Sequence, residues 1–264
     1  MSVCHPAFAL LAVSALAACA TTGEGVSQDV AAATAPRPST VDREARERIV
    51  RQDMLTQMAF WAGEYQTFPN DLEAAQRFAD ALRRGGRADR AAQIAGEALG
   101  RFPDDRTLLT TYGYAQIAAG QPQEAREALT MVAQAEPQNW RVRSALGAAL
   151  DQLGRFAEAR RVYEEALALE PNNPRVLTNL GVSHIMAGEA ADAEQVLRQA
   201  ADRRGAPPEA RQNLAIALAL QGRFDEAEQI ERVDLPPAQA AQNMRYLRGL
   251  LSDPRRWNQL GREG

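Results

Sequence analysis

The chain has 264 residues, of which 45% are hydrophobic and 24% charged, so it has enough apolar side chains to build a folded core. Its net charge of -4 at pH 7 is small, and no basic stripe with interleaved aromatic residues is present, which argues against nucleic acid as a partner. All 30 basic residues are arginine, a bias that we attribute to codon usage before any selection for bidentate pairing.

An uncharged apolar run near the amino terminus, Ala7 to Ala18, predicts a signal peptide, because it is too short to span a bilayer but fits a signal h-region. It ends in Leu16-Ala17-Ala18-Cys19, which resembles the bacterial lipoprotein box, although the preceding MSVCHP lacks the expected Lys or Arg. The resemblance implies a signal peptide at 1–18 and lipidation of Cys19. The alternative is an ordinary secretory signal that is cleaved after Ala18.

Residues 19–40 contain no bulky apolar residue except two valines, which predicts a lipid-anchored flexible linker that cannot build a core. The next segment, 41–71, has apolar residues at steps of three and four and no turn glycine, so we predict one long N-terminal helix that covers the first repeat. The apolar face of this helix comprises Ile49 or Val50, Met54, Met58, Trp61, Tyr65 and Phe68.

The stretch from Trp140 to Pro171 predicts two amphipathic helices joined by a tight turn. Gly154 lies where the first helix is expected to end, because glycine leaves a helix in the left-handed conformation without a Cβ penalty. Gly147 and Ala159 are small, which is typical of two helices that cross closely.

The same features return every 34 residues, which predicts a repeat architecture. The turn glycines are Gly86, Gly120, Gly154, Gly188 and Gly222; the small residues of the second helices are Ala91, Ala125, Ala159, Ala193 and Ala227; the closing prolines are Pro69, Pro103, Pro137 and Pro171. This pattern resembles the tetratricopeptide repeat family over residues 72–241, in five units beginning at Leu72, Arg106, Trp140, Pro174 and Pro208. The resemblance implies an all-α solenoid of helix-turn-helix units. The fourth unit departs at Gly205, and the fifth carries Glu231 where an aromatic residue or leucine is expected.

After the repeats, residues 242–264 are predicted to form a C-terminal cap and tail, with a last helix from Pro237 to Leu251 that turns Met244 and Leu247 inward. The sequence AQNMRYLRGLL followed by RRWNQL resembles the carboxyl-terminal end of tight-adherence, or Flp, pilus assembly lipoproteins of alphaproteobacteria. Those proteins also join a lipoprotein box to tetratricopeptide repeats. The alternative is that Trp257 and Leu260 only complete the cap.

The sequence predicts that the protein is not an enzyme. His184 is the one histidine outside the predicted signal, and a lone histidine on a repeat helix is typical of a packed core residue. No clustered metal ligands and no glycine-rich phosphate loop are present in the sequence, so we predict no metal site, no cofactor and no small-molecule substrate.

In the resembled family the first helix of each unit lines the concave side, which implies a partner-binding wall. Its predicted residues are Thr107, Thr110, Tyr114 and Ile117 in the second unit, Arg175, Thr178, Asn179, Val182, Ile185 and Met186 in the fourth, and Gln212, Asn213, Ile216 and Leu220 in the fifth. Relatives that grip a carboxyl terminus add lysines, which this chain lacks, so an apolar groove with the adaptable Met186 is expected instead. The alternative is that some of these residues pack against the N-terminal helix.

Taken with the resemblances, these features predict an outer-membrane lipoprotein on the periplasmic face that acts as a protein-protein interaction scaffold. The specific expectation is a pilotin-like assembly factor that helps the secretin of a tight-adherence pilus reach or assemble in the outer membrane. The alternative is a general adaptor for an envelope protease or cell-wall enzyme. An envelope hydrolase is disfavoured, because no nucleophile and base occur in a recognisable arrangement.

Overall fold

A computed structural model describes residues 43–252, and within that range the chain forms thirteen α-helices and no strand. The helices are α1 (Arg43–Ile49), α2 (Met54–Thr67), α3 (Leu72–Arg84), α4 (Ala88–Leu99), α5 (Arg106–Ala118), α6 (Pro122–Ala135), α7 (Trp140–Gln152), α8 (Phe156–Leu169), α9 (Pro174–Met186), α10 (Ala190–Ala201), α11 (Pro208–Leu220), α12 (Phe224–Glu231) and α13 (Pro237–Ser252). The predicted all-α solenoid is confirmed. No helix between residues 43 and 252 is long and apolar enough to cross a membrane. The predicted signal peptide, the 19–40 linker, Cys19, Trp257 and Leu260 lie outside the described residues.

Each unit turns at the predicted glycine. Gly154 has a φ of 71°, and the amide of Arg155 behind it donates to the carbonyl of Leu150 at 2.9 Å, which closes the end of α7. The four other turn glycines also have positive φ values, between 71° and 80°. The left-handed turn therefore has the same geometry in all five units.

The two helices of the middle units meet at glycines where no side chain fits between them. A Cβ atom on Gly147 would lie 2.5 Å from Cε1 of Tyr163, and one on Gly113 would lie 2.6 Å from Cγ of Leu129. Gly181 is crowded by Leu197 in the same way. The absent side chain thus sets how closely the first and second helices approach.

A second 34-residue series caps the first helices. Asp71, Asp105, Asn139 and Asn173 each precede a first helix, and each side chain accepts a hydrogen bond from the amide three residues later, at 2.8 to 3.3 Å. Such caps satisfy amides that have no partner inside the helix. These caps were not predicted from the sequence, although they share the 34-residue spacing of the turn glycines.

The segment predicted as one long N-terminal helix instead forms two helices, α1 and α2. The side chain of Asp53 accepts from the amide of Thr56 at 3.0 Å, which starts a new helix. The side-chain amide of Gln57 donates to the carbonyls of Val50 and Gln52 at 3.1 and 2.7 Å, which satisfies the exposed end of α1. The break is therefore stabilised by caps on both sides.

The predicted covering of the first repeat by this segment is confirmed. Trp61 and Tyr65 of α2 are buried in one cluster with Phe78 of α3. Arg46 of α1 donates to Glu64 at 2.6 Å and to Asp71 at 2.5 Å, while its guanidinium lies 5.6 Å from the Trp61 ring centroid. A guanidinium shared between carboxylates and an aromatic face fixes α1 against the first repeat.

At the other end, α12 is shorter than the other second helices and stops at Glu231, the residue at which the fifth unit departs from the repeat pattern. Helix α13 follows, with Met244 buried and Leu247 packed against the same cluster as Leu218. Because α13 contacts both α11 and α12, it takes the place of the first helix of a sixth unit and caps the stack, as predicted.

The glycine contacts generate a stability prediction. Gly147→Ala should lower the free energy of unfolding by about 1 to 3 kcal/mol, because its Cβ would press on the ring of Tyr163, which is fixed by a hydrogen bond to Asp151. Urea unfolding followed by circular dichroism measures the change.

Gly63→Ala is the matched control, because Gly63 lies inside helix α2 and a Cβ there would meet nothing within 4 Å. This change should raise the free energy of unfolding by about 0.5 to 1 kcal/mol, the usual gain for alanine in a helix. Equal effects of the two variants would contradict the crowding argument.

Candidate protein-binding surface

The first helices form a continuous row along the stack. Neighbouring first helices lie close together, from α3 through α5, α7, α9 and α11 to α13. Between residues 43 and 252 the backbones of neighbouring second helices lie farther apart, and a side-chain ion pair of Arg198 with Glu226 joins α10 to α12. Helices that approach in this way lie on the inside of a curved stack. The row is therefore the concave side.

Helix α2 does not cover the predicted wall residues of the fourth and fifth units, because the described helices in contact with α2 are α1 and α3.

In the second unit the row presents Tyr114 between two arginines. Tyr114 is half-buried, and the guanidinium of Arg83 lies 5.6 Å from its ring centroid. Burial raises the pKa of the Tyr114 phenol, against the opposing fields of Arg83 and Arg141. Tyr114 shares a pocket of about 280 Å³ with residues that include Arg83 and the predicted Thr107 and Thr110. The predicted Ile117 is half-buried, and its carbonyl accepts from Gln152 at 3.2 Å.

The fourth unit divides its predicted residues between surface and interior. Arg175 is exposed, and Met186 is 47% exposed, so both are accessible to a partner. Thr178 is only 6% exposed, and its hydroxyl donates to the carbonyl of Pro174 at 2.7 Å, so it faces its own helix. Val182 and Ile185 are half-buried.

Asn179 and Asn213 occupy equivalent positions one unit apart but have different surroundings. The side-chain amide of Asn179 donates to the hydroxyl of Ser144 at 3.1 Å, which links the fourth unit to the third. No hydrogen bond joins the Asn213 carboxamide to another residue between 43 and 252, and this side chain is half-buried. Asn213 therefore retains its hydrogen-bonding capacity for a partner.

The fifth unit and the cap enclose a pocket of about 640 Å³. Two predicted wall residues, the exposed Gln212 and the half-buried Ile216, line it together with Glu231, Leu235, Gln239, Gln242 and Asn243. The predicted Leu220, one turn further along α11, is half-buried. The sequence marked Glu231 as unusual but did not place it beside the wall, because that position depends on where α13 docks.

Comparison with family models gives four overlapping matches to the tetratricopeptide repeat, at residues 82–150, 116–180, 152–206 and 184–252. Together they cover more than half of the chain. The chain belongs to the tetratricopeptide repeat family. A search of the curated proteins gives no match.

Solved structures agree with the tetratricopeptide repeat fold. A thermophilic TPR protein of Thermus thermophilus is 24% identical, with a TM-score of 0.56 over 66% of this chain and 95% of that chain. A MamA structure is 20% identical over 62% of this chain and 95% of that chain, with a TM-score of 0.49. The MamA AMB-1 structure is 28% identical over 56% and 88%, with a TM-score of 0.48. The first of these likenesses shows the fold alone.

Tetratricopeptide repeats generally act as non-catalytic scaffolds that bind protein partners. Repeat stacking makes a long surface from side chains of successive units, which suits an extended or helical protein segment. The inner row of first helices is therefore the candidate binding surface.

A buried polar network stiffens this row between the third and fourth tetratricopeptide repeats. Asp151 is 5% exposed, and it accepts hydrogen bonds from the hydroxyls of Tyr163 at 2.9 Å and Ser183 at 2.6 Å. Burial raises the pKa of Asp151, although these two donors favour its ionised form. A buried carboxylate with two donors from neighbouring helices holds α7, α8 and α9 in register.

His184 lies at the edge of this network and is half-buried, not fully packed in the core. Its Nδ1 lies 2.7 Å from the carboxylate of Glu189, which Arg160 also contacts at 3.3 Å. His184, Glu189 and Asp192 bring three potential metal-ligand atoms within 4.8 Å of one another. Arg160 already neutralises the charge of Glu189, so we interpret these side chains as an ion-pair cluster.

The Asp151 network generates a second stability prediction. Tyr163→Phe should lower the free energy of unfolding by about 1 to 3 kcal/mol, because the buried Asp151 carboxylate loses a donor while the ring still covers Gly147. Thermal unfolding at neutral pH measures the loss.

Tyr112→Phe is the matched control, because the Tyr112 hydroxyl accepts only from Gln116, at 2.8 Å, in a partly exposed position. We expect this variant to stay within about 0.5 kcal/mol of the wild type. A harmless Tyr163→Phe would show that the hydrogen bond from Tyr163 to Asp151 does not stabilise the third repeat.

Proposed function

We propose that this tetratricopeptide repeat protein is an outer-membrane lipoprotein that acts in the periplasm as a pilotin-like assembly factor for the secretin of a tight-adherence pilus. The observation that carries the proposal is that one chain joins a lipoprotein box at Cys19, a 19–40 linker and a repeat array that ends in AQNMRYLRGLL. The same combination occurs in the resembled pilus assembly lipoproteins.

The anchor and the linker suit this role. A flexible chain of about 20 residues has a root-mean-square reach of roughly 25 Å, which is enough to hold the repeats off the membrane surface. Ala20 and Thr21 follow Cys19, so no aspartate is present there to retain a lipoprotein in the inner membrane. A tethered scaffold can search for a partner close to the membrane in which that partner assembles.

The inner row supplies the binding surface in this proposal. Asn213 offers a carboxamide that can pair with a peptide backbone, and Met186 offers an adaptable apolar contact. The alternative function, a general adaptor for an envelope protease or cell-wall enzyme, would use the same surface. Identification of the captured partner separates the two.

The anchor is tested first. Cys19→Ser removes the thiol that would carry the lipid, so it should release the protein from the outer-membrane fraction or leave an uncleaved precursor. Stable anchoring requires more than one acyl chain, and each buried methylene contributes roughly 0.8 kcal/mol. Sucrose-gradient fractionation and the mass of the mature protein measure this. Cys4→Ser is the control and should leave the localisation unchanged. A wild-type protein that is soluble in the periplasm would contradict the anchor.

The partner is tested in cells. Deletion of the gene should reduce secretin multimers in the outer membrane, and a copy carrying Asn213→Ala should restore them less well than the wild type, because a buried peptide group of the partner would lose its hydrogen bond at a cost of about 1 to 3 kcal/mol. Immunoblots of outer-membrane fractions measure the multimers at matched protein levels.

Gln195→Ala, which removes an exposed carboxamide from the second helix α10, is the matched control and should restore the secretin fully. Secretin multimers that are unaffected by the deletion, with a protease or cell-wall enzyme co-purifying instead, would favour the adaptor function.

A further inference from the structure

Glu231 takes the place of a large apolar side chain in the fifth unit. The equivalent residues of the second, third and fourth units are Leu129, Tyr163 and Leu197, which are buried against the glycines of the first helices. Glu231 is only 7% exposed, and it is the last residue of α12. A negative charge at the end of a helix is disfavoured by the helix dipole, so this carboxylate needs compensation.

The described part of the chain supplies Glu231 with one hydrogen-bond donor and no cation. The side-chain amide of Asn243 donates to Oε2 at 3.0 Å, and no arginine between residues 43 and 252 forms an ion pair with this carboxylate. Burial raises the pKa of Glu231, the hydrogen bond from Asn243 opposes this shift, and the negative charge of the nearby Glu228 adds to it.

Neighbouring carboxylates show that a carboxylate with one donor and no cation is unusual in the described part of the chain. Asp234, three residues later, is paired with Arg211 at 2.6 Å, and Glu226 contacts both Arg198 and Arg223. Two other carboxylates described above are deeply buried: Glu64 pairs with Arg46 at 2.6 Å, and Asp151 has two hydroxyl donors from its own chain. Glu231, by contrast, has one amide donor and lines the pocket between the fifth unit and the cap.

The other walls of the pocket complement an elongated cation. Ile216 and Leu235 are apolar and can contact a methylene stem, as buried Lys and Arg side chains require. The carboxamides of Gln212, Gln239 and Gln242 have oxygens that accept N–H donors. The volume of about 640 Å³ lies within the roughly 300 to 1,000 Å³ that is usual for ligand pockets.

We propose that this pocket binds a cationic side chain of a protein partner, an ammonium or a guanidinium, with Glu231 as its counter-ion. The chain contains no lysine, so an ammonium side chain must come from another protein. The inference rests on the inner row being the partner-binding surface, as proposed above, and it adds the charge of the residue that enters at the carboxyl-terminal end.

The test uses three acetylated and amidated tripeptides, Gly-Lys-Gly, Gly-Arg-Gly and Gly-norleucine-Gly, titrated into the isotopically labelled protein. The side-chain amide signals of Asn243 and Gln242 report on the pocket by NMR. We expect the lysine or the arginine peptide to bind at least about tenfold more tightly than the norleucine peptide, which has a similar stem without the charge. The stronger of the two cationic peptides identifies the preferred group.

Glu231→Gln keeps the shape of the side chain and should weaken the cationic peptide about tenfold or more. Glu164→Gln, on the exposed face of α8, is the control and should bind as the wild type does. Glu231→Leu removes the carboxylate, and it should abolish the preference for a cation. This second variant keeps the test valid if Glu231→Gln folds poorly.

Equal binding of the norleucine and lysine peptides, or unchanged binding by Glu231→Gln, would overturn the proposal. Arg255 and Arg256 lie beyond the described residues. If the peptides bind only after both arginines are changed to Gln, the chain's own tail occupies the pocket, and the assignment to a partner is wrong. The peptides report on this pocket alone, so failure here and failure of the secretin experiment are separate results.

Discussion

The absence of a side chain where the first and second helices cross is the constraint on which the middle of this structure depends. Gly113, Gly147 and Gly181 each leave room for one large side chain of the following helix, and a single added carbon would collide with it. Close crossing buries the small residues Ala125, Ala159 and Ala193 completely. Because the second, third and fourth units are all built on this contact, they share one helix spacing, and their first helices line up as a continuous row.

That row explains which groups a partner can reach. Where neighbouring units bond to each other, as Asn179 does with Ser144 and Ser183 with Asp151, the side chains are used to hold the stack together. Where no such bond forms, as at Asn213, the same residue type stays open to a ligand. Equivalent positions in successive repeats therefore serve either stability or binding, and the neighbouring unit decides which.

The sequence predicted the repeat geometry because glycine turns and small crossing residues are local requirements that return every 34 residues. It did not predict the break between α1 and α2, because the apolar spacing of Val50, Met54 and Met58 continues through it. The break depends on Asp53 and Gln57, whose hydrogen bonds compete with an unbroken helix. The burial of Thr178 was also missed, since the rotation of one helix against its neighbours is a tertiary property.

The two ends of the stack differ in how their buried carboxylates are partnered. At the amino-terminal end, Arg46 places one guanidinium among Glu64, Asp71 and Glu73 and over Trp61, so the buried Glu64 has a cation within the chain. At the carboxyl-terminal end, α13 covers the apolar face through Met244 but gives Glu231 only the amide of Asn243. A buried carboxylate that has no cation carries a desolvation cost that the apolar side chains of the middle units do not carry. The buried carboxylate therefore lowers the stability of the fold, and its position beside the inner row lets it act as the counter-ion of a partner's cationic side chain.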